Sequence, residues 1–296
     1  MTAPFYERDG ITLYCGDTLD VLRSLTDRFD LVFTSPPYNL GTTTGGGFGH
    51  YAADAKLAAG GTGRRGGGHK WHGKRPGGLW NGGDLSEGYD GHADALPMGE
   101  YERWQRRCVA AMWRHLTDTG AIFYNHKPRP QRTLWHPRCL IPPSLPVRQE
   151  IIWARGSGMN FAPTHYVPTY EVVIVIAKDA WRLKSKGASG IGDVWSTPPE
   201  SGSPHPAPFP LALPTRAIET AAPGSVLDPF TGSGTTAEAA VLEGARFVGC
   251  ELTAEYLPLI DQRIARGYRG GPDYPDPVAA PAKPDSGIDN LTLFDL

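Results

Sequence analysis

The chain has 296 residues, 40% of them hydrophobic, and 29 Lys/Arg against 31 Asp/Glu give a formal net charge of -2. That length buries one sizeable core, since domains commonly run to about 100–200 residues, and the neutral balance argues against a generally basic nucleic-acid coat. Cys15, Cys108, Cys139 and Cys250 form no CxxC pair, which excludes a disulfide scaffold or a zinc ribbon, so no metal site is expected. The N-terminus has no apolar run behind its charges, and no stretch approaches the roughly 18 apolar residues of a membrane span. A soluble protein of the reducing cytoplasm is the expectation.

In chain order, short apolar runs rich in β-branched residues predict strands at Ile11–Cys15, Phe29–Phe33, Ala121–Tyr124, Glu150–Trp153, Glu171–Ala177, Ser225–Leu227 and Arg246–Cys250. Helical patterns fall near Thr18–Leu25, Tyr101–Leu116, Leu211–Thr220, Thr235–Glu243 and Ala254–Ala265. Strands alternating with helices predict an α/β fold, a mostly parallel sheet with helices on both faces. Ligands bind such sheets beyond the carboxyl ends of the strands, here the loops after Phe33 and after Leu227.

Two segments break the pattern. Residues 41–99 hold 19 of the 37 glycines, with Arg64-Arg65, His69-Lys70-Trp71-His72 and Lys74-Arg75 among them and no sustained period. Ordering such a stretch costs more entropy than burial returns, which predicts a mobile insertion within a domain spanning residues 1–270. Residues 271–296 are Pro-rich and acidic, with five Asp against Lys283, and read as a disordered tail. Charge is uneven elsewhere too: residues 101–155 carry ten Lys/Arg against three acids. A neutral total is thus compatible with a positive face that meets phosphates, although a solvated charged surface accounts for any single Arg equally well.

At the end of the Phe29–Phe33 strand comes Thr34-Ser35-Pro36-Pro37-Tyr38-Asn39. Two prolines fix two φ angles and push Ser35 into an extended conformation, so the loop is stiff. The exocyclic amine of cytosine or adenine is a poor nucleophile because its lone pair is delocalised into the ring. It improves if acceptors bind its protons while the nitrogen turns tetrahedral. Ser35 Oγ and the Pro36 carbonyl can act as such acceptors, preorganised by Pro37, and Tyr38 offers a face for an extruded base. Extrusion is needed because the amine is out of reach inside a duplex. A Pro-Pro-Tyr turn by itself is equally an ordinary rigid loop or a polyproline ligand.

The second motif is Ser225-Val226-Leu227-Asp228-Pro229-Phe230-Thr231-Gly232-Ser233-Gly234-Thr235-Thr236, a strand, a glycine turn and a helix start. It lacks the Gly-Lys-Ser/Thr of a phosphate-binding loop, so an ATPase reading is weak. About twenty residues on, Phe247-Val248-Gly249-Cys250-Glu251 ends a strand in a carboxylate, as in sites that hold a ribose.

With both motifs in this order the sequence resembles the β-class DNA amino-methyltransferases, the group of N4-cytosine and N6-adenine enzymes. The resemblance covers roughly residues 11–40, 100–178 and 203–268. It implies a Rossmann-like fold with a mostly parallel seven-stranded sheet, circularly permuted motif order and S-adenosylmethionine as cofactor. Asp228, Pro229, Phe230, Gly232, Ser233, Gly234 and Thr235 are then expected at the amino acid end of the cofactor, Glu251 at its ribose and Asp17 at its adenine. Thr34, His205 and Phe209 are expected on the same side. Gly16-Asp17 is equally readable as a helix cap, and His205 as a loop histidine.

The segment that often carries target recognition in this class is short here, which moves the expectation to residues 41–99 or 127–148, with Arg129, Arg132, Arg138 and Arg148 as candidate DNA contacts. Serine at position 35 is commoner in members acting on cytosine N4, which favours that amine over adenine N6. Methylation of RNA or of a protein amide, and a catalytically inactive DNA-binding module, stay open as alternatives. Double-stranded DNA is the expected partner, and a homodimer and a role in bacterial or phage restriction-modification are compatible with the resemblance. Asn290-Leu291-Thr292-Leu293-Phe294 resembles the short peptide with which bacterial proteins dock on the replication sliding clamp.

Overall fold

The computed structural model describes residues 4–39, 96–130, 133–156, 158, 164–200 and 208–268. Expectations that fall on Arg132, His205, nearly all of the 41–99 insertion, and the tail with Asn290–Phe294 lie outside the described residues. The chain enters through β1 (Tyr6–Arg8) and β2 (Ile11–Cys15) and crosses α1 (Thr18–Ser24) to β3 (Phe29–Thr34). It continues through α2 (Met98–Arg114), β4 (Leu116–His126), β5 (Val147–Ala154), β6 (Tyr170–Ala177), the single turn α3 (Lys186–Ser189) and β7 (Val194–Ser196). Then follow α4 (Ala212–Ala221), β8 (Ser225–Asp228), α5 (Thr235–Leu242), β9 (Arg246–Glu251) and α6 (Leu257–Tyr268).

The strands form one sheet in the order β1-β2-β9-β8-β3-β4-β6-β5-β7. Among the described residues nine strands stand where the sequence pattern gives seven. The additions, β1 and β7, are three-residue strands at the two edges, too short to show a period of two. From β2 across to β4 every pairing is parallel, whereas β6 runs antiparallel to both β4 and β5. Alternation along the strands serves two layers. Leu31 and Phe33 join Leu213, Ile218, Ala237 and Ile260 of α4, α5 and α6 on one face. Phe29 and Val32 join Leu22, Tyr101, Val109 and Met112 of α1 and α2 on the other. Both faces are thus covered, which is why these strands read as unbroken apolar runs. Among the described residues no helix is long and apolar enough to cross a membrane.

Gly234 caps α5 in the left-handed region at φ 86. A Cβ built there would lie 2.9 Å from Ile260 Cα, so this glycine lets α6 pack against the cofactor-side turn. Gly234→Ala meets both the positive φ and backbone that cannot give way. It should lower unfolding free energy by about 1–3 kcal/mol, read as a lower urea midpoint at unchanged slope. An unaltered midpoint would mean the turn is looser than its geometry.

Candidate active site

Parallel pairing of β3 with β8 matches Leu31 with Val226 and Val32 with Leu227, so two loops nearly 200 positions apart leave the same end of the sheet side by side. Thr34 Oγ1 donates to Asp228 Oδ1 at 2.7 Å and ties them together below the surface. Above that tie lies an open cleft enclosing about 930 Å3, its mouth included. Ser35, Pro36, Pro37 and Tyr38 form one wall; Pro229, Phe230, Gly232, Ser233 and Glu251 form the other.

The Ser-Pro-Pro-Tyr loop is pinned from beneath by β4 and α2. His126 is fully buried, and desolvation followed by the nearby Arg129 charge holds its pKa well below the ordinary value, so the ring is neutral. The Lys127 amide donates to His126 Nδ1 at 2.8 Å, which leaves Nε2 as the protonated nitrogen. Nε2 then donates to Tyr101 Oη at 2.7 Å, and Tyr101 donates to the Pro37 carbonyl at 2.8 Å. Arg129 donates to the carbonyls of Tyr38 and Asn39. The Tyr38 ring stacks on His126 with centroids 4.3 Å apart, so one face is already covered by protein. Around the Tyr38 hydroxyl gather Ser35 Oγ at 3.0 Å, Glu171 Oε2 at 2.8 Å and Asn125 Nδ2 at 2.8 Å. Glu171 is held in turn by Arg155 at 3.2 Å.

The opposite wall combines a glycine-rich turn with a buried carboxylate. Gly232 and Gly234 both have positive φ, which turns the Asp228–Thr235 loop back on itself and brings its backbone against the cleft. Burial raises the Glu251 carboxyl to about 7, against the opposing pull of the Thr253 and Gly232 amides. Those amides reach Oε1 at 2.9 Å and Oε2 at 2.7 Å, which fixes the carboxylate while each oxygen keeps a lone pair for a further donor. Burial also raises Asp228 to about 6, opposed by the nearby hydroxyls of Thr236 and Thr34 and by the Phe230 amide; Thr34 and Phe230 both reach Oδ1. Its Oδ2 is buried without a hydrogen-bond partner among the described residues, leaving acceptor capacity beneath the turn. These features fit S-adenosylmethionine: a ribose at Glu251 and a cationic amino acid end over the Asp228 turn.

The sequence matches the DNA methylase family model, that of N6 and N4 enzymes, over residues 29–262. The chain belongs to this family. It is therefore an S-adenosylmethionine-dependent DNA amino-methyltransferase. It is 27% identical to the type II methyltransferase M.ScaI of Streptomyces caespitosus over 88% of this chain and 83% of that one. Among solved structures it shares its fold with the cytosine-N4-specific PvuII DNA methyltransferase, at a TM-score of 0.61, 17% identity, and 90% and 95% of the two chains covered. A second structure of the same fold is TTHA0409 of Thermus thermophilus in complex with S-adenosylmethionine, at a TM-score of 0.53, 22% identity, and 87% and 96% coverage.

In this methyltransferase Asp17 and Phe209 also line the cleft. Asp17 caps α1 through Oδ1, which accepts from the Leu19 and Asp20 amides at 2.9 and 3.2 Å. Cap and cleft wall are thus one residue, since the second oxygen is not needed for the cap. Phe209 packs on Phe33, ring centroids 5.5 Å apart. Thr34, Asp228, Gly234 and Thr235 are not on the cleft surface; they shape it from below. The described arginines of this set, Arg129, Arg138 and Arg148, do not converge. Arg129 lies over Trp135 and holds the Ser-Pro-Pro-Tyr loop. Arg138 sits half-buried in the short helix Pro137–Leu140, and Arg148 pairs with Asp179 at 2.9 Å. Arg148 is near the start of β5, whereas the site-end neighbours are Ala154 and Tyr170, so the strand's length separates it from the loop.

Sequence reasoning passed over Trp104, Asn125, Glu171 and Tyr256. Trp104 meets Phe230 edge to face at 5.8 Å and lines the cleft with Tyr256. Asn125 and Glu171 carried a usable signal, as polar residues at the site ends of otherwise apolar strands.

Proposed function

We propose that this methyltransferase modifies the N4 amine of a cytosine turned out of duplex DNA, with Ser35 and the Pro36 carbonyl as acceptors for the amine protons and Tyr38 as the stacking face. The observation that supports it is Ser35 itself, a neutral acceptor on a loop pinned by hydrogen bonds to Pro37, Tyr38 and Asn39. Serine at this position is commoner in the cytosine-directed members of the group that the sequence resembles. S-adenosylmethionine, held through Glu251 and the Asp228–Thr235 turn, supplies an electrophilic methyl group. The protein's part is alignment and charge. A stiff acceptor pair orients the amine lone pair toward the opposite wall, and such positioning can contribute several kcal/mol of barrier reduction, of order 7–11 in the best cases. Tyr38, stacked on His126, is the ring the base would meet, about 1–3 kcal/mol of stacking against a few for extrusion.

DNA incubated with the chain and S-adenosylmethionine, digested to nucleosides and analysed by mass spectrometry, should contain N4-methylcytosine. N6-methyladenine alone would replace cytosine by adenine as the target.

A further inference from the structure

The polar cluster behind Ser35 has a direction, and Glu171 sets it. This rests on the reading of Ser35 as the amine acceptor. A phenol has one proton and two lone pairs. Glu171 is 6% exposed, is paired with Arg155 and faces Tyr38 Oη at 2.8 Å, so as a carboxylate it takes the Tyr38 proton. Asn125 Nδ2 donates to the same phenol oxygen at 2.8 Å and fills one lone pair. Its Nδ2 also lies 3.3 Å from Glu171 Oε2, which fixes the amide with nitrogen toward the cluster. What Tyr38 can still do for Ser35, 3.0 Å away, is accept. The Ser35 hydroxyl proton is therefore drawn inward; Asn125 Nδ2 also donates to its oxygen at 3.3 Å, and the lone pair that remains faces the cleft as an acceptor. A serine in isolation can turn its proton either way; this one cannot do so without breaking the chain.

We infer that Glu171 is a positioning residue for catalysis: through Tyr38 it holds the Ser35 hydroxyl in the acceptor orientation that an exocyclic amine requires. Neither Glu171 nor Asn125 lines the cleft, so the effect travels through hydrogen bonds rather than contact with the base. Glu171→Gln tests this because it reverses the chain with little change of shape. Arg155 can only donate, so the new amide must give it the carbonyl oxygen and turn its NH2 toward Tyr38. Tyr38 Oη, then flanked by two donors, sends its own proton to Ser35. The Ser35 proton is expelled into the cleft, donor against the donor N–H of the base.

The expected result is a kcat lower by about 10²-fold, the scale of losing one preorganised polar partner, with unchanged KM for DNA and unchanged S-adenosylhomocysteine affinity. Ser35→Ala combined with Glu171→Gln should be no slower than Ser35→Ala alone, because Glu171 acts only through that hydroxyl. Native kcat in Glu171→Gln, or losses that multiply in the double variant, would overturn the inference. Should Glu171→Gln not fold, Tyr38→Phe cuts the chain in the middle and leaves the Arg155 pair intact, and the same cycle with Ser35→Ala decides on the same terms. Failure of the underlying reading looks different: Ser35→Ala itself would then keep native kcat.

Discussion

Replacing Ser35 by Ala will lower kcat for DNA methylation by about 10²–10³-fold while S-adenosylhomocysteine binds as it does to the native chain. The hydroxyl lines the cleft and touches no residue of the cofactor wall. Its removal leaves Tyr38 Oη with Glu171 and Asn125 as partners, so no buried group is orphaned and the fold should hold. What disappears, on the proposed role of Ser35, is one of two acceptors for the developing tetrahedral amine, an interaction stronger in the transition state than in the ground state. Such losses fall on kcat and leave KM alone. Methyl incorporation at saturating DNA, together with calorimetric titration of S-adenosylhomocysteine, checks it; a kcat within about threefold of native would remove Ser35 from the chemistry.

The two loops were legible because their signals are local. Proline and glycine restrict or free the backbone wherever they stand, and a strand followed by Gly232-Ser233-Gly234 and a helix can be recognised without knowing what surrounds it. Glu171 was not legible in that way. Its partners Tyr38 and Asn125 stand 133 and 46 positions away, and the antiparallel register matching Asn125 with Val173 and His126 with Val172 brings them together. Pairing of β6 with β4 rather than with a parallel neighbour is a tertiary outcome that periodicity does not carry.

Charge counting was blind for a related reason. Ten basic residues between 101 and 155 describe a composition, not a face. Arg129 donates its guanidinium to backbone carbonyls of the Ser-Pro-Pro-Tyr loop, and Arg148 lies toward the far end of the sheet. Lys127 and Arg155 do stand at the site end, where burial and then the Arg155 charge lower the Lys127 pKa. Both stand at strand ends among apolar neighbours, and Arg155 is paired with Glu171, so no basic run marks the site.

Glu251→Ala will raise the dissociation constant for S-adenosylhomocysteine by about 10²-fold or more, and the native affinity will depend on pH in a way the variant's does not. Hydrogen bonds to a charged group contribute about 1.5–3 kcal/mol each, and two ribose donors lost together amount to a factor of order 10² to 10⁴. The pH dependence follows from the Glu251 carboxyl at about 7 in the free protein. A buried acid raised above its unfolded value of about 4.3 favours the folded state when neutral; this contribution is present below the unfolded value and is lost as pH rises through about 7. Where both ribose hydroxyls donate to Glu251, each oxygen must accept, which the ionised carboxylate does best, so binding would draw the proton off. Affinity should therefore tighten from pH 6 to 7.5, by up to about tenfold per unit at the acid end, and level off above. Asp228 titrates at about 6, so its share falls mainly at the lower edge of that window. Calorimetry in buffers of different ionisation enthalpy should register a proton released on binding at pH 6.5, and Glu251→Gln should abolish both the release and the slope. A Gln variant with the native slope would assign the proton to Asp228 instead.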